Sequence, residues 1–114
     1  DGQVITAPML AGAYQQMVAR ARTRGIAVGA TIMPFAGSAY YHPEAPTEAD
    51  RQAVNAWIRQ PGNFDAVIDF DRIMGDPARP DHLNPDYDSG DGLHPSLAGY
   101  RTMADAVPLE LFSR

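Results

Sequence analysis

The sequence contains no cysteine, no lysine and no apolar run long enough to cross a membrane. Without cysteine, a disulfide scaffold and thiolate metal sites are excluded. All nine basic residues are arginines, and the 14 acidic residues leave a net charge of −5. Because a nucleic-acid surface needs clustered basic side chains, this balance argues against one. A membrane-spanning helix needs about 20 consecutive apolar residues, so no transmembrane segment is predicted.

The length and apolar content fit one folded unit. The chain has 114 residues, of which 45% are hydrophobic, so it can bury a core and wholesale disorder is excluded. It begins at Asp1 rather than at methionine. We therefore expect it to be part of a longer or processed polypeptide.

Helical and strand patterns alternate along the chain. The helical spacing of apolar residues, with Thr6 as N-cap and Gly25 as stop, predicts a first helix. The predicted elements are a helix over 9–24, a strand over 26–33, a helix capped by Thr47 and ended by Pro61, a strand over 64–70, a helical turn over 71–75 and a helix from Ser96 to Pro108. Residues 76–92 are rich in Pro, Asp and Gly and are predicted to be a loop without regular structure.

Strands that alternate with helices predict a parallel sheet in an α/β fold. Only two strands are predicted here, and they form too small a sheet to carry helices on both faces. We therefore expect residues 1–114 to be the C-terminal portion of a single domain whose remaining strands lie upstream.

A candidate catalytic pair lies in the Gly-rich stretch before the last helix. Asp91 and His94 stand three residues apart, and Gly90 and Gly92 allow a tight bend between them. A carboxylate that accepts a hydrogen bond from one imidazole nitrogen leaves the other nitrogen free as a base. The spacing alone leaves two interpretations open, a catalytic pair or a loop histidine bonded to a neighbouring aspartate.

Several blocks in a fixed order carry a family resemblance. The D-G-L-H-P block at residues 91–95 is followed by G-Y at residues 99–100. Residues 30–35, 55–59 and 64–70 supply a strand with its following loop, a helix and a second strand. In these blocks the sequence resembles the C-terminal part of the SGNH hydrolases, also called the GDSL family of lipases and esterases.

The resemblance implies part of a flavodoxin-like α/β/α sandwich that hydrolyses carboxylic esters. In that family a serine on a Gly-Asp-Ser turn attacks the ester, and by position Asp91 and His94 match the other two members of the triad. No metal or organic cofactor is implied. A lipid, a short-chain ester and an acetylated sugar all remain open as substrates. Localisation also remains open, although enzymes of this kind are often exported.

One departure from the family pattern is large. The chain has no Gly-Asp-Ser turn and no Gly-x-Asn-Asp block, and none of its serines stands on a strand-to-helix elbow; they are Ser38, Ser89, Ser96 and Ser113. The nucleophile and the oxyanion hole are therefore expected upstream of residue 1, in the missing N-terminal half, and the isolated chain is expected to be inactive. The alternative is a non-catalytic fragment or binding module that keeps the scaffold without a nucleophile.

Three aromatic side chains follow the first predicted strand, at the end where open α/β sheets bind ligands. Phe35, Tyr40 and Tyr41 are candidates for substrate binding, and packing under a loop is the equally weighted alternative. His42 and His82 are interpreted as surface histidines without a metal partner. The acidic stretch at residues 86–92 does not fit the calcium-binding EF-hand pattern, so no metal site is predicted.

Overall fold

The computed structural model of the chain describes residues 5–41 and 44–113. His42, interpreted above as a surface histidine, lies outside them. The elements are α1 (Ala7–Arg22), β1 (Val28–Ala30), α2 (Ala45–Arg59), β2 (Ala66–Ile68), α3 (Phe70–Met74), β3 (Gly75–Asp76), β4 (Arg79–Leu83), α4 (Leu97–Asp105) and a 3₁₀ helix (Leu109–Phe112). They form two compact units, one of residues 1–32 and 44–69 and one of residues 33–43 and 70–114. No helix of the described residues is long and apolar enough to cross a membrane.

The first unit holds the parallel strand pair that the sequence predicts. Val28 lies opposite Ala66, and the pairing continues to Ala30 opposite Ile68. Helices α1 and α2 pack against each other in the same unit. The predicted α/β class with parallel strands is confirmed, although each paired strand is only three residues long.

The two helix starts of this unit differ from each other. Thr6 caps α1 as predicted, since its hydroxyl accepts a hydrogen bond from the Met9 amide at 3.4 Å. The prediction that Thr47 caps α2 is wrong, because that helix already begins at Ala45 with Glu44 as its N-cap. Pro46 lies in the first turn, where its fixed φ favours the helix and its missing N–H costs nothing.

Buried Asn55 pairs with the backbone just beyond the end of β1. Its Oδ1 accepts from the Ile32 amide at 2.7 Å, and its Nδ2 donates to the Ile32 carbonyl at 2.9 Å. Arg51 donates to the same carbonyl at 2.9 Å. The side chain of Asn55 is 0% exposed, so these hydrogen bonds replace the bonds to water that its amide group loses on burial. Asn55 thus fixes the chain where it leaves the strand.

An aromatic cluster covers the strand pair of the first unit. Trp57 stacks on Tyr14 with ring centroids 6.1 Å apart and meets the edge of Phe64 at 5.8 Å. The Phe64 ring lies over Gly29, where an added Cβ would come within 2.6 Å of it. Trp57 is half-buried, in agreement with its predicted place on the apolar face of α2.

The second unit contains a strand pair that the sequence does not predict. Gly75 pairs with Leu83 and Asp76 with Arg79, in an antiparallel β3–β4 hairpin. The prediction that residues 76–92 lack regular structure is therefore wrong for Asp76 and for residues 79–83. Proline and aspartate disfavour strands locally, and the hairpin depends instead on burial of Leu83, which is 3% exposed.

Helix α4 begins where the sequence predicts, but packs differently. Ser96 caps it by accepting a hydrogen bond from the Gly99 amide at 3.2 Å. The predicted apolar face is wrong in part, because Leu97 and Tyr100 are largely exposed. Close packing occurs at Gly99, where an added Cβ would lie 2.5 Å from the carbonyl oxygen of Tyr87.

Candidate active site

The Asp–His pair sits in a turn that is closed by backbone bonds. The Ser89 amide donates to the His94 carbonyl at 2.9 Å, and Asp88 and Pro95 form an isolated antiparallel bridge just outside it. Within the turn, Gly90 has a φ of 113° and Gly92 a φ of 71°. Residues other than glycine rarely adopt such φ angles, so the two glycines make the bend possible, as predicted.

Both oxygens of Asp91 are held inside this turn. Oδ2 lies 2.6 Å from Nδ1 of His94, and Oδ1 accepts from the amides of His94 at 2.8 Å and Leu93 at 2.9 Å. The Ser89 hydroxyl donates to Oδ1 at 3.2 Å. The His94 side-chain bond, followed by the two backbone bonds, holds the pKa of Asp91 far below its usual range. Asp91 is therefore an ionised and oriented partner for the imidazole.

The remaining nitrogen of His94 is open to a reactant. Because Asp91 occupies Nδ1, the neutral ring carries its proton there and keeps a lone pair on Nε2. The side chain is 60% exposed, whereas that of Asp91 is 25% exposed. This arrangement can accept a proton at Nε2 and stabilise the resulting imidazolium.

A loop distant in sequence lies against the Asp91–His94 turn. The Ala39 amide donates to the Asp91 carbonyl at 3.2 Å, and the Gly37 carbonyl packs on Gly92. The Tyr40 ring meets the His94 ring edge to face, with centroids 6.4 Å apart and planes at 79°. Of the three aromatic candidates for substrate binding, Tyr40 thus lies next to the Asp91–His94 pair.

The other two aromatic candidates have no such contact. Phe35 is half-buried and Tyr41 is 70% exposed. Neither ring contacts that of His94 among the described residues.

The fold and the geometry of the pair can now be set beside known families. Residues 2–102 match the family model of the GDSL-like Lipase/Acylhydrolase family. The chain belongs to this family. This is a family of hydrolases of the esterase and lipase type. The resemblance to the GDSL family seen in the sequence is therefore confirmed. No curated protein matches the chain.

In the described residues, the serine hydroxyls of this GDSL-like chain all bond to groups other than the imidazole of His94. Ser38 is buried and accepts from the amides of Tyr40 and Tyr41 at 3.1 Å each. The hydroxyls of the others cap α4 (Ser96), donate to Asp91 (Ser89) and donate to the Glu110 carbonyl (Ser113). Each therefore has a structural partner rather than the histidine a nucleophile needs.

A second Asp–His pair lies in β4, and sequence reasoning missed it. Nδ1 of His82 is 2.7 Å from Oδ1 of Asp81, and that bond lowers the pKa of Asp81. The side chain of His82, interpreted above as a surface histidine, is 28% exposed and paired with Asp81. Neighbouring residues of a strand normally point to opposite faces, so the sequence carried no signal for this pair.

The acidic stretch before the pair is organised by hydrogen bonds to its own backbone. Oδ1 of Asp88 accepts from the amides of Gly90 at 2.9 Å and Gly92 at 3.0 Å. No group of three or more metal-ligating side chains suited to a cation occurs among the described residues. Asp88 thus shapes the turn that carries Asp91.

Proposed function

We propose that this chain supplies the base half of the catalytic triad of a serine carboxylic ester hydrolase. The observation that carries the proposal is the 2.6 Å contact between Asp91 Oδ2 and His94 Nδ1, which leaves Nε2 of His94 as an exposed base. Membership of the GDSL-like family supports the same chemistry. Asp91 and His94 are its two catalytic residues, and it needs no metal or organic cofactor.

In the proposed acylation step, His94 moves one proton. Its Nε2 takes the hydroxyl proton of the serine as the serine oxygen bonds to the ester carbonyl carbon. The imidazolium is stabilised by Asp91, whose carboxylate stays ionised because of its hydrogen bonds. As the carbon–oxygen ester bond breaks, the same proton passes to the leaving alkoxide. Water, deprotonated by His94, then releases the acid and regenerates the serine.

The nucleophile and the oxyanion hole belong to polypeptide upstream of residue 1 in this proposal. The described serines are engaged elsewhere, and Ser38 is only 4% exposed. The strand pair also favours a missing portion of the same domain, since Val28 and Val67 are 36% and 37% exposed on a sheet of two strands. In a complete α/β domain, helices would cover such apolar groups on the two faces of a larger parallel sheet. Residues 1–114 then form the C-terminal portion of a single SGNH-type domain.

Tyr40 is the aromatic residue best placed to touch the substrate. Its ring lies beside His94 and is 68% exposed, so an ester held at Nε2 can pack against it. Phe35 and Tyr41 lie on the same loop and complete the proposed substrate-binding set.

The proposal is tested by comparing the chain with the longest natural form of the protein. The 114-residue chain alone should not hydrolyse p-nitrophenyl acetate above the rate of a free imidazole. The longer form should hydrolyse it and be acylated on one upstream serine, as mass spectrometry would show. Acylation of Ser38 or Ser89 would contradict the proposal. A longer form that binds esters without turnover would instead identify a binding module.

A further inference from the structure

A cavity of about 510 Å³ lies in the second unit, immediately behind the turn that carries Asp91. Gly90 and Gly92, which flank Asp91 in the chain, form part of its wall. Its polar side chains are Arg79, His82 and Asp88. A group bound here would therefore contact the same turn that carries Asp91 and His94. The cavity is therefore placed to hold a part of the substrate remote from the scissile bond.

Each polar side chain of the cavity keeps hydrogen-bonding capacity for a ligand. His82 is bonded to Asp81 through Nδ1, which leaves Nε2. Asp88 uses Oδ1 for two backbone amides, which leaves Oδ2. Arg79 has only a 3.6 Å contact from Nε to Asp76, so its terminal nitrogens have no partner among the described residues. The cavity thus offers a cationic donor, a carboxylate acceptor and an imidazole nitrogen.

The charges of this cavity disfavour an anionic ligand. Arg79 is its one cationic group, and it is already next to the carboxylate of Asp76. Asp88 lines the wall and Asp81 lies behind His82, so a carboxylate or phosphate would meet more negative than positive charge. A cationic ligand would be attracted by these carboxylates but repelled by the Arg79 guanidinium, whereas a neutral ligand with hydroxyl groups can bond to both kinds of side chain.

Only two of the eight residues that line the cavity have apolar side chains. They are Leu83, which is 3% exposed, and Pro85, while three of the eight lining residues are glycines. A long acyl chain would find few carbon contacts here. A hydroxyl group both donates and accepts, so neighbouring hydroxyls can bond to Asp88, His82 and Arg79 together.

The geometry points to a subsite for a hydroxyl-rich group, such as a sugar ring or another polyol, carried by the ester substrate. Since it assigns a substrate class to the proposed hydrolase, this inference rests on the proposed function. His82, Arg79 and Asp88 are the specificity-determining residues, and none of them takes part in proton transfer at the ester. Of the substrates left open by the sequence, the cavity selects the acetylated sugar over the lipid.

Gly37 provides a steric test of the same subsite. A Cβ at Gly37 would lie 3.1 Å from Cδ2 of His82 and 3.7 Å from Nε2. Gly37→Ala therefore crowds the ring edge next to the free nitrogen without removing a polar group. Arg79→Ala and His82→Ala remove the polar groups themselves. Arg101→Ala, which removes an exposed arginine on α4, is the matched control.

Binding is measured without turnover, so the result is independent of esterase activity. Methyl β-D-glucopyranoside is titrated into the longest natural form of the protein, and the backbone amides of Gly90 and Gly92 are followed by NMR. We expect saturable shifts that weaken about tenfold or more in Arg79→Ala and His82→Ala, weaken in Gly37→Ala and change less than about twofold in Arg101→Ala. Amide spectra of each variant show whether it is folded. Tighter binding of inorganic phosphate or methyl butyrate at the same amides, or no glucoside shift, would overturn the subsite.

Kinetics separate a failure of the subsite from a failure of the proposed function. With methyl 6-O-acetyl-β-D-glucopyranoside as substrate, Arg79→Ala and His82→Ala should raise KM about tenfold, a much larger loss than any change in their kcat/KM for p-nitrophenyl acetate, whereas Arg101→Ala should keep both activities within about twofold. His94→Ala should abolish both activities. An enzyme that hydrolyses p-nitrophenyl acetate, but whose KM for the sugar ester is unchanged in both variants, would retain the proposed function and lose the subsite. A protein that binds the glucoside but hydrolyses neither ester would retain the subsite and lose the proposed function.

Discussion

The carbonyl of Gly37 occupies the position where a side chain at Gly92 would begin. Gly92 also has a φ of 71°, so both its conformation and its surroundings require glycine. This contact, with the hydrogen bond from the Ala39 amide to the Asp91 carbonyl, holds the loop of Tyr40 on the Asp91–His94 turn. The placement of Tyr40 beside His94 thus depends on the absence of a side chain at Gly92.

Gly92→Ala should therefore damage both folding and the site. We expect a loss of roughly 2–5 kcal/mol in the free energy of unfolding, since backbone strain and steric overlap act together. Gly90→Ala is the matched control, because Gly90 also has a positive φ but an added Cβ there meets nothing within 4 Å. Urea denaturation of both variants measures the difference. Equal losses in the free energy of unfolding would show that the overlap with Gly37 adds nothing to the backbone strain.

Substitution of the proposed base or of its partner should reduce activity far more than substitution of other residues of the turn. In the longest natural form, His94→Ala should reduce kcat by roughly 10³-fold or more with little change in KM, because the proton is transferred in the transition state. Asp91→Asn should also reduce kcat strongly, since it removes the charge facing the imidazolium and permits the wrong tautomer.

A control for these kinetics is Ser89→Ala, which removes only the 3.2 Å hydrogen bond to Asp91 Oδ1. It should retain most of the activity, because the two backbone amides still hold that oxygen. Full activity in His94→Ala would exclude His94 as the base.

Acid should weaken the fold in part through Asp91. The pKa of Asp91 is lowered in the folded chain, first by the His94 side chain and then by backbone amides, whereas an unfolded aspartate titrates near about 3.9. Its stabilising contribution is therefore complete above about pH 4 and is lost as the pH falls from there towards the folded pKa.

The variant Asp91→Asn isolates this contribution. Its free energy of unfolding should lie below that of the wild type at pH 7, and the gap should narrow as the pH falls below about 4 and close only as the pH approaches the lowered pKa of Asp91. Asp105→Asn, at the exposed end of α4, should run parallel to the wild type over the same range. Chemical denaturation at a series of pH values measures the curves. A constant gap between Asp91→Asn and the wild type down to the lowest pH would contradict the prediction.

Asn55 should be among the most sensitive positions of the first unit. Asn55→Ala removes the bonds to the amide and carbonyl of Ile32 and leaves a buried cavity, so we expect a loss of about 2–4 kcal/mol in the free energy of unfolding. Gln52→Ala on the same helix breaks only an exposed 2.8 Å bond to Glu48 and should cost less than about 0.5 kcal/mol. If thermal or urea unfolding gives similar values for the two variants, the buried bonds of Asn55 are not important for stability.

The sequence by itself determined the features that depend on residues close together in the chain. Thr6 and Ser96 cap helices because an oxygen there meets an amide three residues later. Asp91 and His94 meet for a similar reason, since two glycines turn the chain within a few residues. The parallel pairing of β1 and β2 followed from the alternation of strand and helix patterns.

The tertiary structure alone decided which distant groups surround that pair. The spacing of Tyr40 and His94 in the chain does not predict their contact, which depends on the loop being clamped by Asp91 and Gly92. The β3–β4 hairpin forms against the local preferences of proline and aspartate, and within it His82, which is paired with Asp81, lines a cavity. Such contacts arise from burial and backbone bonding between segments far apart in sequence, and one local pattern is compatible with many such arrangements.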